Sequence, residues 1–292
     1  VVPSASAETL PVAGIYPAQS DAAAAVNTIA VDNFGGDKGA SLSFAITDAL
    51  EAAVIEGEPY FRLYPTRGDD VDAVLRGAAG LEVVETELEA KKVTKCEERD
   101  DDRKCIREKV RFYDCYEIAV SVMPDVRLIA RDGAELYSMR DRVTNKERHC
   151  TDDYSAPSVD TMAQNLVEQY AGRVRYAFAP FHRNEQIRIL ESRKGLSRED
   201  GRAFRNAVRL TKSDIHASCE AFSALEAANP QHVSVLFNVG LCAEGQGELE
   251  TAKAYYRRAL EVEPGKEYPI SGLRRIADRY RADRQLAAHY EE

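Results

Sequence analysis

Ile29–Val54 reads IAVDNFGGDKGASLSFAITDALEAAV, and its order of residue types decides the first half of the fold. Val26 to Val31 is a short apolar run, the pattern of a buried strand. Asp32-Asn33-Phe34-Gly35-Gly36 follows as a loop. From about Gly39, Leu42, Ala45, Ile46, Ala49, Leu50, Ala53 and Val54 recur at three- and four-residue spacing, which predicts a helix with one apolar face. Gly57 and Pro59 end it, and Tyr60 to Tyr64 reads as a second strand.

Outward from this unit, Asp69 to Leu75 is expected to form a short helix. Gly80 to Cys96 and Cys105 to Val122 then read as long strands around a charged turn, Arg99 to Arg103. Arg131-Asp132-Gly133 is a hairpin signal, because Asp-Gly tolerates positive φ. The returning arm is Ala134 to about Asn145. Ser158 begins a helix whose apolar face is Val159, Met162, Ala163, Leu166, Val167, Tyr170 and Val174. A further strand is expected around Gln186 to Leu190. From Ser197 the pattern is all helical. Residues 1–25, rich in Ala, Pro and Ser, read as a leader or flexible tether. Ala5-Ser6-Ala7 fits the small-residue pattern of a signal-peptide cleavage site.

The expected fold class is α+β, an α/β sandwich with a mixed sheet over residues 26–192, followed by an all-α, tetratricopeptide-like domain over 193–292. The repeat signal lies in Asn238–Pro264, NVGLCAEGQGELETAKAYYRRALEVEP. With Pro264 as the terminal proline of a 34-residue template, Ala252, Tyr256 and Ala259 take the packing positions of the second helix. Gly240 and Ala243 take the small positions of the first helix, and Leu236 the large one. Pro230 precedes Pro264, and Phe222 precedes Tyr256, by that same period. Such hairpin stacks present a groove to a peptide or protein. Asn238, Leu241, Glu244 and Tyr255 are the candidate contacts there; the alternative is a purely internal packing role.

The six cysteines are Cys96, Cys105, Cys115, Cys150, Cys219 and Cys242. None lies in a CxxC pair, and no His stands at zinc-ligand spacing, so disulfides in an oxidising compartment are the expectation, and no metal. If the hairpin turns evenly at Asp132-Gly133, Cys115 faces Cys150 and Glu117 faces Arg148. Met123-Pro124-Asp125 interrupts that arm, because proline cannot donate to the ladder. Cys96 and Cys105 close the charged loop. A strict turn there would set Lys92 against Lys109, an unfavourable pair. Cys219 and Cys242 fall on consecutive helices and make the third pair.

The net charge of −10 excludes a dominant basic face of the nucleic-acid-binding kind. Lys91 to Arg111 mixes nine basic with six acidic residues, a solvated hairpin. No run reaches the ~18 apolar residues of a membrane helix. Gly35-Gly36-Asp37-Lys38-Gly39 lacks P-loop spacing and reads as a tight strand-to-helix turn. There is no GxSxG and no HExxH, and none of the five histidines pairs at i, i+4. No catalytic, cofactor-binding or metal-binding residue is assigned, and no cofactor is expected.

IAVDNFGGDKGASLSFAITDALEAAV resembles the opening strand, glycine-bearing loop and first helix of the curli-secretion lipoprotein family, a layout shared with the TolB amino-terminal domain. YEIAVSVMPDVRLIARDGAELYSM, Tyr116–Met139, resembles that family's paired long strands. The combination with NVGLCAEGQGELETAKAYYRRAL resembles envelope lipoproteins that fuse both modules. The resemblance implies a non-enzymatic scaffold, periplasmic or outer-membrane associated, that binds other envelope proteins in assembly, secretion or cell-wall synthesis. It also allows a self-assembling ring subunit, a homo-oligomer. Pore formation does not carry over, because Glu85, Glu87, Glu89, Lys91 and Lys92 would face lipid.

Overall fold

The computed structural model describes residues 8–65, 68 and 71–291. In chain order the elements are Thr9–Tyr16 (β1), Asp21–Ala24 (α1), Thr28–Val31 (β2), Gly39–Glu51 (α2), Val54–Ile55 (β3), Glu58–Pro59 (β4), Arg62–Tyr64 (β5), Ala73–Arg99 (β6), Cys105–Ala130 (β7), Glu135–Arg140 (β8), Val143–Cys150 (β9), Val159–Phe178 (α3), Phe181–Arg188 (β10), Arg198–Leu210 (α4), Ile215–Ala228 (α5), Val233–Gly245 (α6), Leu249–Val262 (α7) and Glu267–Tyr290 (α8). They divide into two compact units: Gln19–Ala179, and residues 8–18 with 180–291.

The Gln19–Ala179 unit is built on a mixed sheet in the order β5-β2-β6-β7-β8, with β9 also paired to β7. β5, β2 and β6 run parallel, and the remaining pairings are antiparallel. Helices α2 and α3 pack on each other and on β6 and β7. Leu42, Ile46 and Leu50 of α2 and Val120, Val122 and Leu128 of β7 are completely buried. Period 3.6 in the helices and period 2 in β7 thus meet in one core. The strand-to-helix loop is stitched to β6: Gly35 and Lys38 amides donate to the Gly77 and Ala79 carbonyls at 3.1 and 3.0 Å. Gly36 has φ +87°, and a Cβ there would lie 2.5 Å from the Ala79 oxygen, so only glycine fits.

The expected helix over Asp69–Leu75 is corrected. Asp69 and Asp70 lie outside the described residues, but Ala73, Val74 and Leu75 form the start of β6 and pair parallel with Ile29, Ala30 and Val31. The apolar cluster of Ala30, Val71 and Val74 selects strand there. Asp72 fixes the junction, receiving bonds from the Thr28 amide and hydroxyl at 2.9 and 2.7 Å. Burial pushes its carboxyl up, but those bonds and the Arg131 charge hold it below the usual carboxylate range.

Pro124 does not displace the long hairpin. Asp125 faces Arg140 on β8, and Cys115 faces Cys150 on β9, in one continuous register. Pro124 stands at the break between β8 and β9, where its missing N–H costs nothing, and its carbonyl accepts from Asp141 N at 3.1 Å. At the other end β6 carries one extra residue between Leu88 and Lys91. Lys92 therefore faces Phe112. Lys95 faces Lys109, whose charge is met by Glu97 at 2.9 Å. Beyond Leu88 and Cys115 the hairpin is a two-stranded arm, and Ile106, Val110 and Phe112 stand exposed on it.

The second unit is not all-α. β1 and β10 form an antiparallel pair, Thr9 facing Arg188 through Tyr16 facing Phe181. The expected tether over 1–25 is corrected from Thr9 onward, and Ala5-Ser6-Ala7 lies outside the described residues. Burial alternates along the strand: Leu10, Val12 and Tyr16 are enclosed. Leu10 and Val12 join one core with Phe204, Phe222, Phe237, Leu241 and Tyr256. Gln285 of α8 grips Ala18, accepting from its amide at 2.8 Å and donating to its carbonyl at 3.1 Å. Helices α4 to α8 pack each on the next. Gly240 and Gly272 flank the Tyr256 ring so closely that a Cβ at either would collide with it.

Three disulfides join Cys96–Cys105, Cys115–Cys150 and Cys219–Cys242. The first closes only the exposed arm, whereas the others tie β7 to β9 and α5 to α6. Cys96→Ser with Cys105→Ser is therefore expected to leave the urea midpoint almost unchanged and to raise amide exchange only in the arm. Cys219→Ser with Cys242→Ser is expected to cost about 2–4 kcal/mol in the same titration.

Candidate docking groove

Two cavities flank the Cys219–Cys242 disulfide in the helical unit. One, of about 450 Å³, is walled by α5, α6 and α7, with His216, Ser223, Val239, Thr251 and Tyr255 on its lining. The other, of about 300 Å³, lies between β1, α5 and α6, with Leu10, Pro11, Ile215, Leu241 and Gly245 on its lining. Both share His216, Gln246 and the two cysteines, so the disulfide is a common floor.

The local sequence explains why the floor is open. Gly245 approaches β1 so closely that a Cβ would sit 2.9 Å from the Pro11 carbonyl oxygen. Asp214 caps α5 by accepting from Ala217 N at 2.9 Å, which leaves Ile215 in the first turn and 43 % exposed at the rim. Tyr255, on the lining of the larger cavity, is held from behind that lining by Arg258, whose guanidinium stacks on its ring at 5.1 Å and bonds Glu226 at 2.5 Å. His216 stands 3.6 Å from Glu220, both largely exposed. The sulfurs are tied in a disulfide; the smaller cavity is lined mainly by apolar groups, whereas the larger also presents Glu220, Gln246, Glu248 and Thr251. Among the described residues no group of three or more His, Cys, Asp or Glu side chains is placed to hold a metal ion.

Of the four residues expected to contact a partner, Tyr255 lines the larger cavity, while Leu241 lies at the back of the smaller one, itself completely buried in the core, and the expectation for it is corrected. Asn238 and Glu244 line neither, and the expectation for them is corrected. Both are completely buried. Asn238 clamps the chain after β10, accepting from Leu190 N and donating to Leu190 O, each at 2.9 Å. Glu244 takes two bonds from Arg275, at 2.8 and 2.7 Å, and one from the Tyr256 hydroxyl at 2.5 Å. Burial alone would pull the Arg275 guanidinium down, yet the bonds and charge of Glu244 raise it. Burial, then the Glu244 charge, pushes the Tyr256 phenol far up. The Tyr16 hydroxyl is buried with no hydrogen-bond partner among the described residues, and burial followed by the charges of Glu185 and Glu244 pushes its phenol up.

No protein-family model matches the sequence, and no curated protein matches it. Among solved structures, the chain is similar to the rare lipoprotein B from Shewanella oneidensis, at 11% identity over 51% of this chain and 88% of that one, with a TM-score of 0.24. It is also similar to a neuraminyllactose-binding hemagglutinin homolog from Helicobacter pylori, at 11% identity over 75% of this chain and 95% of that one, with a TM-score of 0.25. At scores this low neither likeness carries weight for fold or function.

Sequence reasoning missed the contribution of β1 to the groove, because residues 1–25 read as tether. The signal present was the period-two spacing of Leu10 and Val12. It also treated Cys219 and Cys242 only as a bridge, although a bridge between consecutive helices must also line whatever cleft separates them. The three disulfides fit maturation in an oxidising, extracytoplasmic compartment. No described helix is long and apolar enough to cross a membrane.

Proposed function

We propose that the protein is a non-catalytic scaffold of the bacterial envelope, periplasmic or outer-membrane associated, that holds a partner protein in the groove over the Cys219–Cys242 disulfide. The observation that carries this reading is the pair of cavities that share the disulfide, with Ile215 exposed at the rim of one and Tyr255 on the lining of the other. Tyrosine is among the residue types enriched in protein-binding hot spots. The resemblance of Ile29–Val54 to curli-secretion and TolB amino-terminal domains, and of Asn238–Pro264 to tetratricopeptide hairpins, supports the same role in secretion, assembly or cell-wall synthesis.

The test is capture of partners from native envelope extract by the intact protein and by two rim variants, Ile215→Asp and Tyr255→Ala. Both positions are partly exposed, so folding is expected to survive, checked by circular dichroism. A specific partner retained by the wild type and lost at least about ten-fold by each variant is expected, the size of a single hot-spot truncation. A partner retained equally by all three proteins would move the binding surface elsewhere.

A further inference from the structure

A third cavity in the helical unit, of about 270 Å³, opens at the amino end of α6. Lys194, Val233, Ser234, Glu263 and Lys266 are on its lining. His232 caps the helix: its Nδ1 accepts from Val235 N at 3.3 Å, and its Nε2 then donates to the Lys194 carbonyl at 3.2 Å. Burial pulls that imidazole down, so it stays neutral in this tautomer. One cap leaves the first two amides of the helix, Val233 N and Ser234 N, without a partner among the described residues. The Ser234 side chain adds a third donor. Ser234 is only 4 % exposed, yet its hydroxyl has no hydrogen-bond partner among the described residues. It is not sealed in the core as the Tyr16 hydroxyl is, so what it faces is the cavity that Ser234 lines. A buried hydroxyl without a partner forfeits hydrogen-bond energy that an occupant of the cavity restores.

The charge around these donors is positive. Lys194 is in no ion pair among the described residues. Lys266 gives one N–H to Glu263 at 2.9 Å and so neutralises the carboxylate on the lining. The Lys194 ammonium therefore remains, beside the positive end of the α6 macrodipole. We propose that this cavity binds the phosphoryl group of a small molecule, its oxygens bonded by Val233 N, Ser234 N and the Ser234 hydroxyl, with Lys194 matching its charge. Free amides at a helix amino end are suited to such anions. A phosphoryl group presents three outer oxygens to three donors, whereas a carboxylate has two and would leave one donor unmet. The volume falls just under the roughly 300–1,000 Å³ of ordinary ligand pockets, so the molecule that carries the phosphate is small. The site shares no lining residue with the two cavities at the disulfide, so it stands whether or not that groove holds a protein.

Amide NMR spectra of the full chain titrated with inorganic phosphate test this. The Val233 and Ser234 signals are expected to move saturably, with a dissociation constant of about 1 mM or tighter. Ser234→Ala is expected to weaken binding about ten-fold, and Lys194→Met by a similar factor. The hydroxyl serves the ligand and not the fold, so Ser234→Ala is expected to keep the melting temperature measured without phosphate. It is expected to lose most of the rise that phosphate gives the wild type. Glycerol phosphate separates two sources of the group. Tighter binding of the ester than of inorganic phosphate assigns a phosphorylated organic ligand, equal or weaker binding assigns free phosphate, and either result supports the site. Acetate at equal ionic strength is expected to move neither amide. Amides indifferent to phosphate, an acetate response equal to that of phosphate, or an affinity unchanged in either variant would overturn the proposal.

Discussion

Val12→Asp in the intact chain is expected to destabilise the helical unit by about 4–5 kcal/mol or more, the range reached when an unpaired charge enters a closed apolar site. Val12 is completely buried, in the same core as Phe204, Phe222, Phe237 and Tyr256. Val12→Ala, which only removes two methyl groups, is expected to cost roughly 2 kcal/mol. Hydrogen exchange reads the outcome. Amides of α4 to α8 should lose protection in the Asp variant, while those of α2 and α3 keep theirs. Were β1 a tether, the same substitution would change nothing, so the experiment separates the two descriptions by several kcal/mol.

The second large effect concerns the buried carboxylate of α6. Arg275→Met is expected to cost about 3–5 kcal/mol, because it leaves Glu244 buried without its cation. Glu244 is fully enclosed, and its partner is 12 % exposed at the side chain. Adding Glu244→Leu should recover much of that loss, since replacing both members of a buried pair with apolar groups is close to neutral. Urea titration of the two single variants and the double variant gives the coupling directly. Tyr256 adds a pH dependence of defined sign. Its folded-state pKa is raised above the ordinary value of 10.0, first by burial and then by Glu244. The folded state therefore keeps a proton that the unfolded chain releases. The stability this gives is complete below pH 10 and falls as the pH rises beyond it. Tyr256→Phe should lessen that alkaline decline.

Much of the fold was legible because two periodicities were clean. Helix α2 shows its face at Leu42, Ile46 and Leu50, and α3 at Met162, Leu166, Val167, Tyr170 and Val174. The register from Cys115 to Leu128 matches the one expected from an even Asp-Gly turn, but the turn itself is not even: a one-residue shift between Leu128 and Ile129 sets Ile129 opposite Glu135. The misread segments were those whose structure depends on a distant partner. Ala73–Leu75 is strand because β2 lies beside it, and no local spacing says so. β1 is broken up by Pro11 and Gly14, residues that mark loops when read locally. Gly14 instead makes room for the Arg279 side chain, which a Cβ would strike.

The groove was half legible for a related reason. Every residue of α6 from Ser234 to Glu244 is buried. A helix enclosed on all sides has neighbours on all sides. Polar residues within it therefore answer to internal partners, as Asn238 does to Leu190 and Glu244 to Arg275. The same two side chains, read only as repeat positions, point outward. Tyr255, on the less enclosed α7, lines a cavity instead.

The pairing of Thr9 with Arg188 also orders events in time. The ribosome releases β1 first, yet its hydrogen-bonding mate is made only after the whole Gln19–Ala179 unit has been synthesised. A chain threaded through a translocon amino end first would carry that apolar strand unsatisfied through most of its passage. The α/β unit can fold while the helical unit still waits for the strand that completes its two-stranded pair, so the helical unit is the later of the two to fold.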